Sequence, residues 1–384
     1  MHSFIFIFLT ILTLTPPALT GSRRWQPPLG SPSPEAKHQL DKRWMTINLP
    51  GTAAAARLDP RPWPNREITY CFADKTAKSK LKTALKKAMD LWYSGGLTND
   101  YTIVEGSSHV CSSEDSRREV LMISYGDKLS TYVGYPDKNS RLVTDLGKGA
   151  YATWTDRKDI GMLSVVPNIA HELGHAWGLY HEHQNPYFWS SAYLADGGGG
   201  SVFGPGNNNW NCENLADYDK FADGKEISPG GGLPHQHYTR DQMCRSYRVA
   251  SAANFSAAEY LPMAPYQAHT PMSIAADARM VDWDSIMIYP SGAGAKKGLD
   301  PPEETDGVKD DRLSILEKPP LDGEEGDMQR IPKNIIPSSG DIEAMNKLYG
   351  SVRVEKKGLL HERGSTKEKF KKAFLGSKDS SSCV

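Results

Sequence analysis

The sequence has no large excess of positive or negative charge and no internal repeats. It also has no apolar run long enough to cross a membrane. Its formal net charge is −1, which gives no electrostatic reason to expect nucleic acid or an anionic membrane as a partner. The absence of a repeating period excludes a solenoid or a propeller. The apolar run at residues 4–14 is shorter than the roughly 20 residues that a membrane-spanning helix needs. With 39% hydrophobic and 24% charged residues, the composition is that of a soluble globular protein.

The N-terminal region has the features of segments that are removed from a mature protein. Small residues follow the short apolar run, which is typical of a signal peptide, and we assign residues 1–20 to it. A buried first strand is the alternative. Residues 21–43 are rich in Pro and Ser and end in the dibasic pair Lys42-Arg43, which suits a processing protease. We therefore predict a propeptide there, with a disordered arm that is never cleaved as the alternative.

The rest of the chain is long enough for one large domain, which we assign to residues 44–350. Residues 351–384 are rich in lysine and are assigned to a basic tail. Residues 66–73 have the β-branched and aromatic content of a strand. Residues 76–93 carry apolar side chains at three- and four-residue steps, which predicts a helix packed against the core. Two further short strands are predicted at residues 120–125 and 130–135.

Cysteine is scarce, with five residues in 384. Four of them can form two disulfide bonds in a secreted chain, and four cysteines allow three connectivities. We favour the local pairs Cys71–Cys111 and Cys212–Cys244 and leave the two crossed alternatives open. Cys383, the penultimate residue, is predicted to be free or removed by processing. No cysteine lies in the predicted propeptide, which excludes a latch made by a propeptide thiol.

The strongest signal is the run HELGHAWGLYH, which begins at His171. Residues four apart on a helix lie one above the other, so His171 and His175 can present two imidazoles to one metal ion. Gly178 can end the helix in a left-handed conformation and turn the chain back, which brings His181 to the same ion. Three neutral nitrogen ligands suit Zn²⁺ and leave a coordination position for water. Glu172, beside the first ligand, can take a proton from that water as it attacks a carbonyl.

This pattern, HExxHxxGxxH, is that of the metzincin metallopeptidases. Glu182 follows the third histidine directly, which resembles the extended signature of the astacin family, where this Glu binds the mature N-terminus. The pentapeptide SIMIY at residues 285–289 resembles that family's Met-turn, in which Met287 would pack under the ligands and Tyr289 would be a switchable zinc ligand. The chain is therefore identified as astacin-like. Another metzincin subfamily is the alternative, and Tyr289 argues against it.

Three other segments resemble the family in the same order along the chain. Residues 63–72 resemble its opening strand, residues 130–134 its substrate-binding edge strand and residues 340–349 its closing helix. The resemblance thus covers residues 60–350. It implies an α+β fold of two lobes, the zincin-like catalytic domain, with an active-site helix, a Met-turn and the zinc on the floor of the cleft.

The resemblance implies a secreted, extracellular zinc endopeptidase that acts on proteins or peptides. Zn²⁺ would be bound by His171, His175 and His181, with Glu172 as the general base. Tyr289 would ligate zinc at rest, swing away and then stabilise the oxyanion. We expect no nucleic acid partner, no stable membrane anchor and a monomer. The rival interpretation is a secreted zinc-binding protein that kept the fold without the activity, and the presence of Glu172 argues against it.

Several features depart from the family's pattern. Asn185 and Tyr187 stand in the region where an Arg and an acidic residue usually follow the third histidine. The third ligand and the Met-turn are farther apart than in a compact astacin domain, which implies an insertion at residues 190–280. The cysteines do not fall where the family's usual bridges would place them. The resemblance implies that an aspartate of the propeptide keeps the proenzyme inactive. Asp41 and Asp59 are the candidates for this role.

The predicted insertion at residues 190–280 is rich in glycine and is expected to lack long regular elements. His235 and His237 within it can form a second metal site, but no nearby ligand set completes one, so a surface pair is favoured. Asn254 begins the chain's single N-x-S/T sequon and predicts an exposed, glycosylated loop. Residues 301–326 are acidic and Pro-rich and lack a calcium-binding loop pattern, so a solvated loop is predicted there.

Overall fold

The computed structural model describes most of the predicted domain, namely residues 46–47, 61–136, 149–193, 200–205, 207–227, 234–262, 278–305, 307–320 and 326–350. The predicted signal peptide, propeptide and basic tail lie outside the described residues, as do Asp41, Asp59 and Cys383. Within the described part, no helix has the length and apolar character needed to cross a membrane.

A five-stranded sheet forms the first half of the fold. Its strands are β1 (Glu67–Phe72), β2 (Thr102–Glu105), β3 (Leu121–Tyr125), β4 (Ser130–Thr131) and β5 (Tyr151–Trp154). The spatial order is β2-β1-β3-β5-β4, and only the β4–β5 pair is antiparallel. The short strand β4 therefore forms one edge of the sheet.

The edge strand is shorter than the sequence predicted. Only two of residues 130–135 belong to β4, where Ser130 lies opposite Thr153 and Thr131 opposite Ala152. Gly134 takes a left-handed conformation, with φ of 71°, which extended strands do not allow. The chain therefore leaves the sheet before residue 135.

Six helices are present in the described chain. They are α1 (Lys75–Ser94), α2 (Ser108–Ser112), α3 (Val165–Trp177), α4 (Arg240–Arg245), α5 (Tyr247–Ala253) and α6 (Ser339–Tyr349). The helix predicted at residues 76–93 is confirmed as α1, and the Asp74 carboxylate caps it by accepting from the Ala77 N–H at 2.8 Å. The buried stripe of α1 packs against α3 and contains Leu81, Leu85, Ala88, Met89 and Trp92.

After α3 the regular elements are short, and the α+β architecture predicted from the sequence is confirmed. Among the described residues, three antiparallel strand pairs occur there: β6 (Lys225–Ile227) with β7 (Gln236–Tyr238), β8 (Glu303–Thr305) with β9 (Val308–Asp310), and β10 (Glu317–Lys318) with β11 (Gln329–Arg330). Short 3-10 helices lie along the chain at Pro64–Arg66, Ser116–Glu119, Glu182–Gln184, Pro186–Phe188, Ser191–Tyr193, Cys212–Asn214, Tyr218–Phe221, Ser256–Glu259 and Ala278–Met280.

The insertion packs into the same hydrophobic core as the sheet. Buried side chains from it, such as Phe203, Met243 and Tyr260, are part of the cluster that also contains Trp92 of α1. The prediction that the insertion lacks long regular elements is confirmed for its described residues, since α4 and α5 are its longest helices. Glycine interrupts the secondary structure there, and aromatic side chains still supply enough apolar surface to bury.

The described part of residues 301–326 is not a solvated loop, which corrects the prediction there. It contains the β8–β9 hairpin and a bidentate ion pair in which Nε and Nη2 of Arg312 lie 2.7 Å and 2.8 Å from the two carboxylate oxygens of Asp310. Both residues are buried, and so are Ile315 and Leu316. Because the charges pair with each other, an acidic composition does not keep this segment in water.

Both favoured disulfides are present. Cys71 is bonded to Cys111 and Cys212 to Cys244, with Cα–Cα distances of 5.7 Å and 5.9 Å. The first bond joins β1 to α2, and the second joins two parts of the insertion. Each bond restricts the unfolded chain and so stabilises the folded one.

The sequon does not lie in an exposed loop, which is a second correction. Asn254 is half-buried and ends α5 in a left-handed conformation, with φ of 60°. The Ser256 hydroxyl is buried and donates a hydrogen bond to the Asp217 carboxylate at 2.8 Å. The asparagine serves as a helix cap, a use that the sequon pattern does not reveal. Glycosylation of Asn254 stays a prediction.

Candidate metal centre

Helix α3 carries the first two histidines and the glutamate of the motif. Pro167 lies in its first turn, where the missing N–H removes no intrahelical hydrogen bond. Further along the helix, His171 and Glu172 are 0% exposed and His175 is 1% exposed. All three side chains are therefore removed from bulk water.

Gly178 ends α3 in a left-handed conformation, with φ of 112°. Its N–H donates to the carbonyl oxygens of Gly174 at 3.1 Å and His175 at 2.8 Å, as helix ends of this type require. A Cβ at this position would lie 2.7 Å from Cδ1 of Ile47. The turn therefore requires glycine, and it directs the chain to His181 as the motif predicts.

The three histidines form one cluster that can bind a metal ion. The Nε2 atom of His175 lies 3.1 Å from that of His171 and 3.0 Å from that of His181, and the third distance is 3.1 Å. Two bonds of about 2.0–2.1 Å, the usual length between Zn²⁺ and imidazole, can span each of these distances. Within the described residues, no other group of three His, Cys, Asp or Glu side chains has this geometry.

Hydrogen bonds fix the first two imidazoles in the form that binds metal. Nδ1 of His171 donates to the Ile286 carbonyl oxygen at 2.7 Å, and Nδ1 of His175 donates to that of Leu179 at 2.8 Å. The proton on Nδ1 leaves the lone pair of Nε2 directed into the cluster. Burial lowers the pKa of His175 to about 4, so this imidazole is neutral near pH 7.

The third histidine is oriented by the insertion. Nδ1 of His181 donates to Oε1 of Gln184 at 2.7 Å. The amide nitrogen of Gln184 in turn donates to the carbonyl oxygens of Ala258 and Leu261, both at 3.0 Å. Because that nitrogen can only donate, Oε1 must face the histidine. Sequence reasoning missed Gln184, although its place three residues after the third ligand is a signal that could have found it.

The Met-turn packs against α3 beside the histidines. A Cβ at Gly174 would lie 2.3 Å from Sδ of Met287, so a larger residue here would displace the methionine side chain. Asp341 of α6 fixes the turn, since its carboxylate accepts from the Ser285 hydroxyl at 2.6 Å and from the Ile286 N–H at 2.9 Å. Burial raises the pKa of Asp341 to about 6. This residue was also missed, because it lies far from the turn in sequence.

Glu172 has one fixed and one open carboxylate oxygen. Its Oε2 accepts a hydrogen bond from Oγ1 of Thr131, which itself accepts one from Nε1 of Trp154 at 2.8 Å. Among the described residues, Oε1 has no hydrogen-bond partner. Burial raises the pKa of Glu172 to about 8, and the hydrogen bond from Thr131 opposes this rise. A cation bound by the adjacent histidines would oppose the rise further and favour the ionised carboxylate. The open oxygen can therefore accept a hydrogen bond from a water or a substrate.

Tyr289 packs beside the histidine cluster. Its ring centroid is 4.3 Å from that of His181 and 5.7 Å from that of His171, and the residue is 1% exposed. Its backbone N–H donates to Nδ1 of His183 at 3.3 Å. The tyrosine thus packs on two of the three histidines.

Glu182 is buried beside the Met-turn. Its backbone N–H donates to the Met287 carbonyl oxygen at 3.1 Å, and its Oε1 accepts from the Asp282 N–H at 3.2 Å. Burial raises the pKa of Glu182 well above its ordinary value, and the charges of Asp282 and Asp341 add to the rise. A backbone N–H is thus one partner of this carboxyl, and the mature N-terminus, which the resemblance implies as its partner, stays a prediction.

Among the described residues, His235 and His237 belong to no group of side chains that could bind a metal ion. Both are exposed on the β6–β7 hairpin, and Nε2 of His235 lies 3.4 Å from a carboxylate oxygen of Glu226. His237 lies opposite the same glutamate in the strand register. The favoured interpretation, a surface pair, is confirmed.

Comparisons of the sequence with protein-family models and with curated proteins find no match. Among solved structures, the chain is similar to myroilysin, with 16% identity, a TM-score of 0.34, and coverage of 75% of this chain and 95% of that one. It is also similar to high choriolytic enzyme 1, a hatching enzyme zinc-protease from the medaka fish Oryzias latipes, with 16% identity, a TM-score of 0.36, and coverage of 79% and 99%.

These two TM-scores are too low to assign a function, so the site is interpreted from the chain's own residues. Three features agree with the resemblance found in the sequence: the histidine triad, the left-handed glycine at position 178, and the Met-turn packed on the ligand helix. In its α+β fold and its candidate metal centre, the chain is similar to the astacin-like zinc metallopeptidases.

Proposed function

We propose that the chain is a secreted zinc endopeptidase that hydrolyses peptide bonds in proteins or peptides. The observation that carries this proposal is the triad, whose three Nε2 atoms lie 3.0–3.1 Å from one another. Each imidazole also has its Nδ1 bonded to an oxygen. Three oriented, neutral imidazoles fit a catalytic zinc, which usually has three protein ligands and one open position.

His171, His175 and His181 would hold the ion. When bound, Zn²⁺ supplies Lewis acidity, which polarises a substrate carbonyl and lowers the pKa of water. The oxygens that accept from the three Nδ1 atoms keep the rings in place and make the ligands more basic. The hydrogen bonds to the three Nδ1 atoms support the proposal that these histidines are the ligands.

Glu172 is the general base in this proposal. Its Oε1 has no hydrogen-bond partner within the described residues and can accept a proton from the attacking water. The same carboxyl then delivers the proton to the leaving amine nitrogen. Its burial beside the first ligand limits exchange with bulk water, so the proton stays at the site. A zinc-binding protein without activity has no need of a buried, half-satisfied carboxyl at this position.

The substrate backbone is proposed to bind at the sheet edge. Within the described chain, β4 pairs with β5 alone, so an extended peptide can add to its other side. Backbone hydrogen bonds of this kind depend little on the amino-acid sequence of the bound peptide. We therefore expect the protein to accept peptides of many sequences. Any selectivity would come from pockets beside the strand that contact the peptide's side chains.

Tyr289 is proposed to ligate zinc at rest and to donate a hydrogen bond to the oxyanion during the reaction. Tyr289→Phe removes one hydroxyl and leaves the ring that packs on His181. We expect turnover to fall by roughly 10²–10³-fold, as for the loss of other oxyanion donors. KM should change far less, because the contact forms mainly in the transition state. Steady-state kinetics on a peptide substrate measures both values.

A matched control is Tyr260→Phe. Tyr260 is buried, its ring lies 5.3 Å from that of Tyr289, and its hydroxyl donates to the Ala293 carbonyl oxygen. Loss of this hydroxyl should lower the melting temperature, because the hydrogen bond that it makes stabilises the folded protein. Turnover should stay within about threefold of that of the unmodified protein. Normal turnover in Tyr289→Phe with a lowered melting temperature would show that Tyr289 is a core residue, and the switch would be abandoned.

Secretion is supported by the apolar run at residues 4–14 and by the two disulfide bonds, which form in oxidising compartments. The proposed activity is tested on protein recovered from culture medium and loaded with zinc. It should cleave casein and members of a random peptide library, and N-terminal sequencing should find a start after Arg43. If zinc-loaded protein cleaves neither substrate, the non-catalytic interpretation replaces the enzyme.

A further inference from the structure

Three buried side chains from three elements form a hydrogen-bond chain that ends on Glu172. Trp154 of β5 donates its indole N–H to Oγ1 of Thr131 at 2.8 Å. Oγ1 of Thr131, in β4, is hydrogen-bonded to Oε2 of Glu172 in α3. All three residues are at most 1% exposed, so water does not compete for these contacts.

The chemistry of the three groups fixes the direction of the chain. An indole nitrogen can only donate, so the hydroxyl oxygen of Thr131 must accept from Trp154. An ionised carboxylate can only accept, so the single hydroxyl hydrogen of Thr131 must point at Glu172. The hydroxyl therefore has one possible orientation when Glu172 is ionised, which is the state a general base requires.

The sheet register places the two partners of Glu172 on one face. Thr131 lies opposite Ala152 in the antiparallel β4–β5 pair. Trp154 is two residues beyond Ala152, so its side chain projects from the same face of the sheet. Helix α3 packs against β4, and just after β4 the Gly134 N–H donates to the His175 carbonyl oxygen at 3.0 Å. The edge strand is thus bonded to the helix that carries two of the metal ligands.

We propose that Thr131 is a positioning residue for the general base. Its hydroxyl holds Oε2 of Glu172 and so directs Oε1, which has no hydrogen-bond partner within the described chain, toward the attacking water. Trp154 sets the hydroxyl's direction. This inference rests on the proposed peptidase activity and adds to it a residue that neither the motif nor the Met-turn contains.

The proposal also links substrate binding to the base. Thr131 belongs to the strand whose backbone would pair with the substrate, while its side chain holds Glu172. A peptide that pairs with β4 is thereby aligned with the carboxylate of Glu172, the proposed general base for its hydrolysis. Reacting groups aligned in this way need less reorganisation on the path to the transition state.

The test compares Thr131→Val with Thr131→Ser in the zinc-loaded, full-length protein. Valine keeps the β-branched shape and removes the hydroxyl, and serine keeps the hydroxyl and removes a methyl group. We expect Thr131→Val to lower kcat by about 10–100-fold with little change in KM, the size of effect usual when a hydrogen bond that orients a site group is lost. Thr131→Ser should retain kcat within about threefold. Zinc content should stay at one ion per chain in both.

A second measurement separates positioning from damage to the fold. In the Glu172→Gln background no general base remains, so Thr131→Val should cause no further loss of turnover there. A structural defect would lower turnover in both backgrounds by the same factor. The indole N–H resonance of Trp154 gives a readout independent of activity: it should shift in Thr131→Val, where the acceptor is gone, and stay close to its original position in Thr131→Ser.

The outcomes are distinct. Full kcat in Thr131→Val, or equal losses in the valine and serine variants, would overturn the positioning role while the peptidase proposal stands. An additive loss in the Glu172→Gln background would overturn it as well. An unmodified protein that cleaves no peptide would remove the peptidase proposal and, with it, the role of Thr131.

Discussion

Removal of the metal should abolish proteolysis, and added zinc should restore it. The described residues contain one complete ligand set, so the purified protein is expected to bind one zinc ion per chain. Without the ion, nothing at the site supplies the Lewis acidity on which the proposed reaction depends. The melting temperature should also fall, because a ligand that binds only the folded state stabilises it by mass action. Elemental analysis, casein hydrolysis and calorimetry before and after chelation measure these effects.

Two histidine variants sharpen this experiment. His181→Ala removes the third ligand and should greatly reduce both zinc content and turnover. The matched control is His237→Ala, since His237 is exposed on β7 and faces Glu226 rather than a metal cluster. This control should keep one zinc ion and full turnover. Full activity in a metal-free preparation would refute the zinc mechanism, and loss of a second zinc ion in His237→Ala would reveal a site that we do not expect.

Replacement of Glu172 by Gln should leave the zinc bound and reduce turnover by roughly 10²–10⁴-fold, the usual contribution of a general base. Glutamine keeps the length of the side chain, and its amide oxygen can still accept from Thr131. What it loses is the ability to accept a proton from the attacking water. The fold should persist, because the substitution creates no cavity. Turnover on casein, zinc content and melting temperature form the set of measurements.

The matched control for this substitution is Glu343→Gln. Glu343 is exposed on α6, so the same chemical change there should leave turnover unchanged. Unchanged turnover in Glu172→Gln with zinc retained would show that the base lies elsewhere. Loss of zinc in Glu172→Gln would instead show that the glutamate supports the ligands, and the assignment of a separate base would fail.

Much of the metal centre could be predicted from the sequence because its parts are close together in the chain. His171 and His175 are one helical turn apart, and Gly178 ends that same helix. The apolar stripe of α1 is likewise set by spacing within one helix. Spacing of this kind predicts geometry directly, since the helix fixes which residues share a face.

The groups that orient the site could not be predicted in this way. Thr131 is 41 residues from Glu172 in the sequence. Asp341 is 56 residues from Ser285, whose hydroxyl donates a hydrogen bond to the Asp341 carboxylate. Their pairing depends on how α3 packs against β4 and how α6 meets the Met-turn. A buried polar group must find some partner, but the sequence does not say which distant residue supplies it.

The sequence by itself determined the α+β class of this protein and identified the candidate metal ligands and the candidate general base. Only the tertiary structure decided that the insertion orients His181 through Gln184, whose amide nitrogen reaches Ala258 and Leu261, 74 and 77 residues away. It also decided that part of the acidic segment, residues 310–316, carries a buried Asp310–Arg312 ion pair next to the buried side chains of Ile315 and Leu316. The physical reason is that composition records how polar a segment is, while burial depends on whether its polar groups find partners in three dimensions.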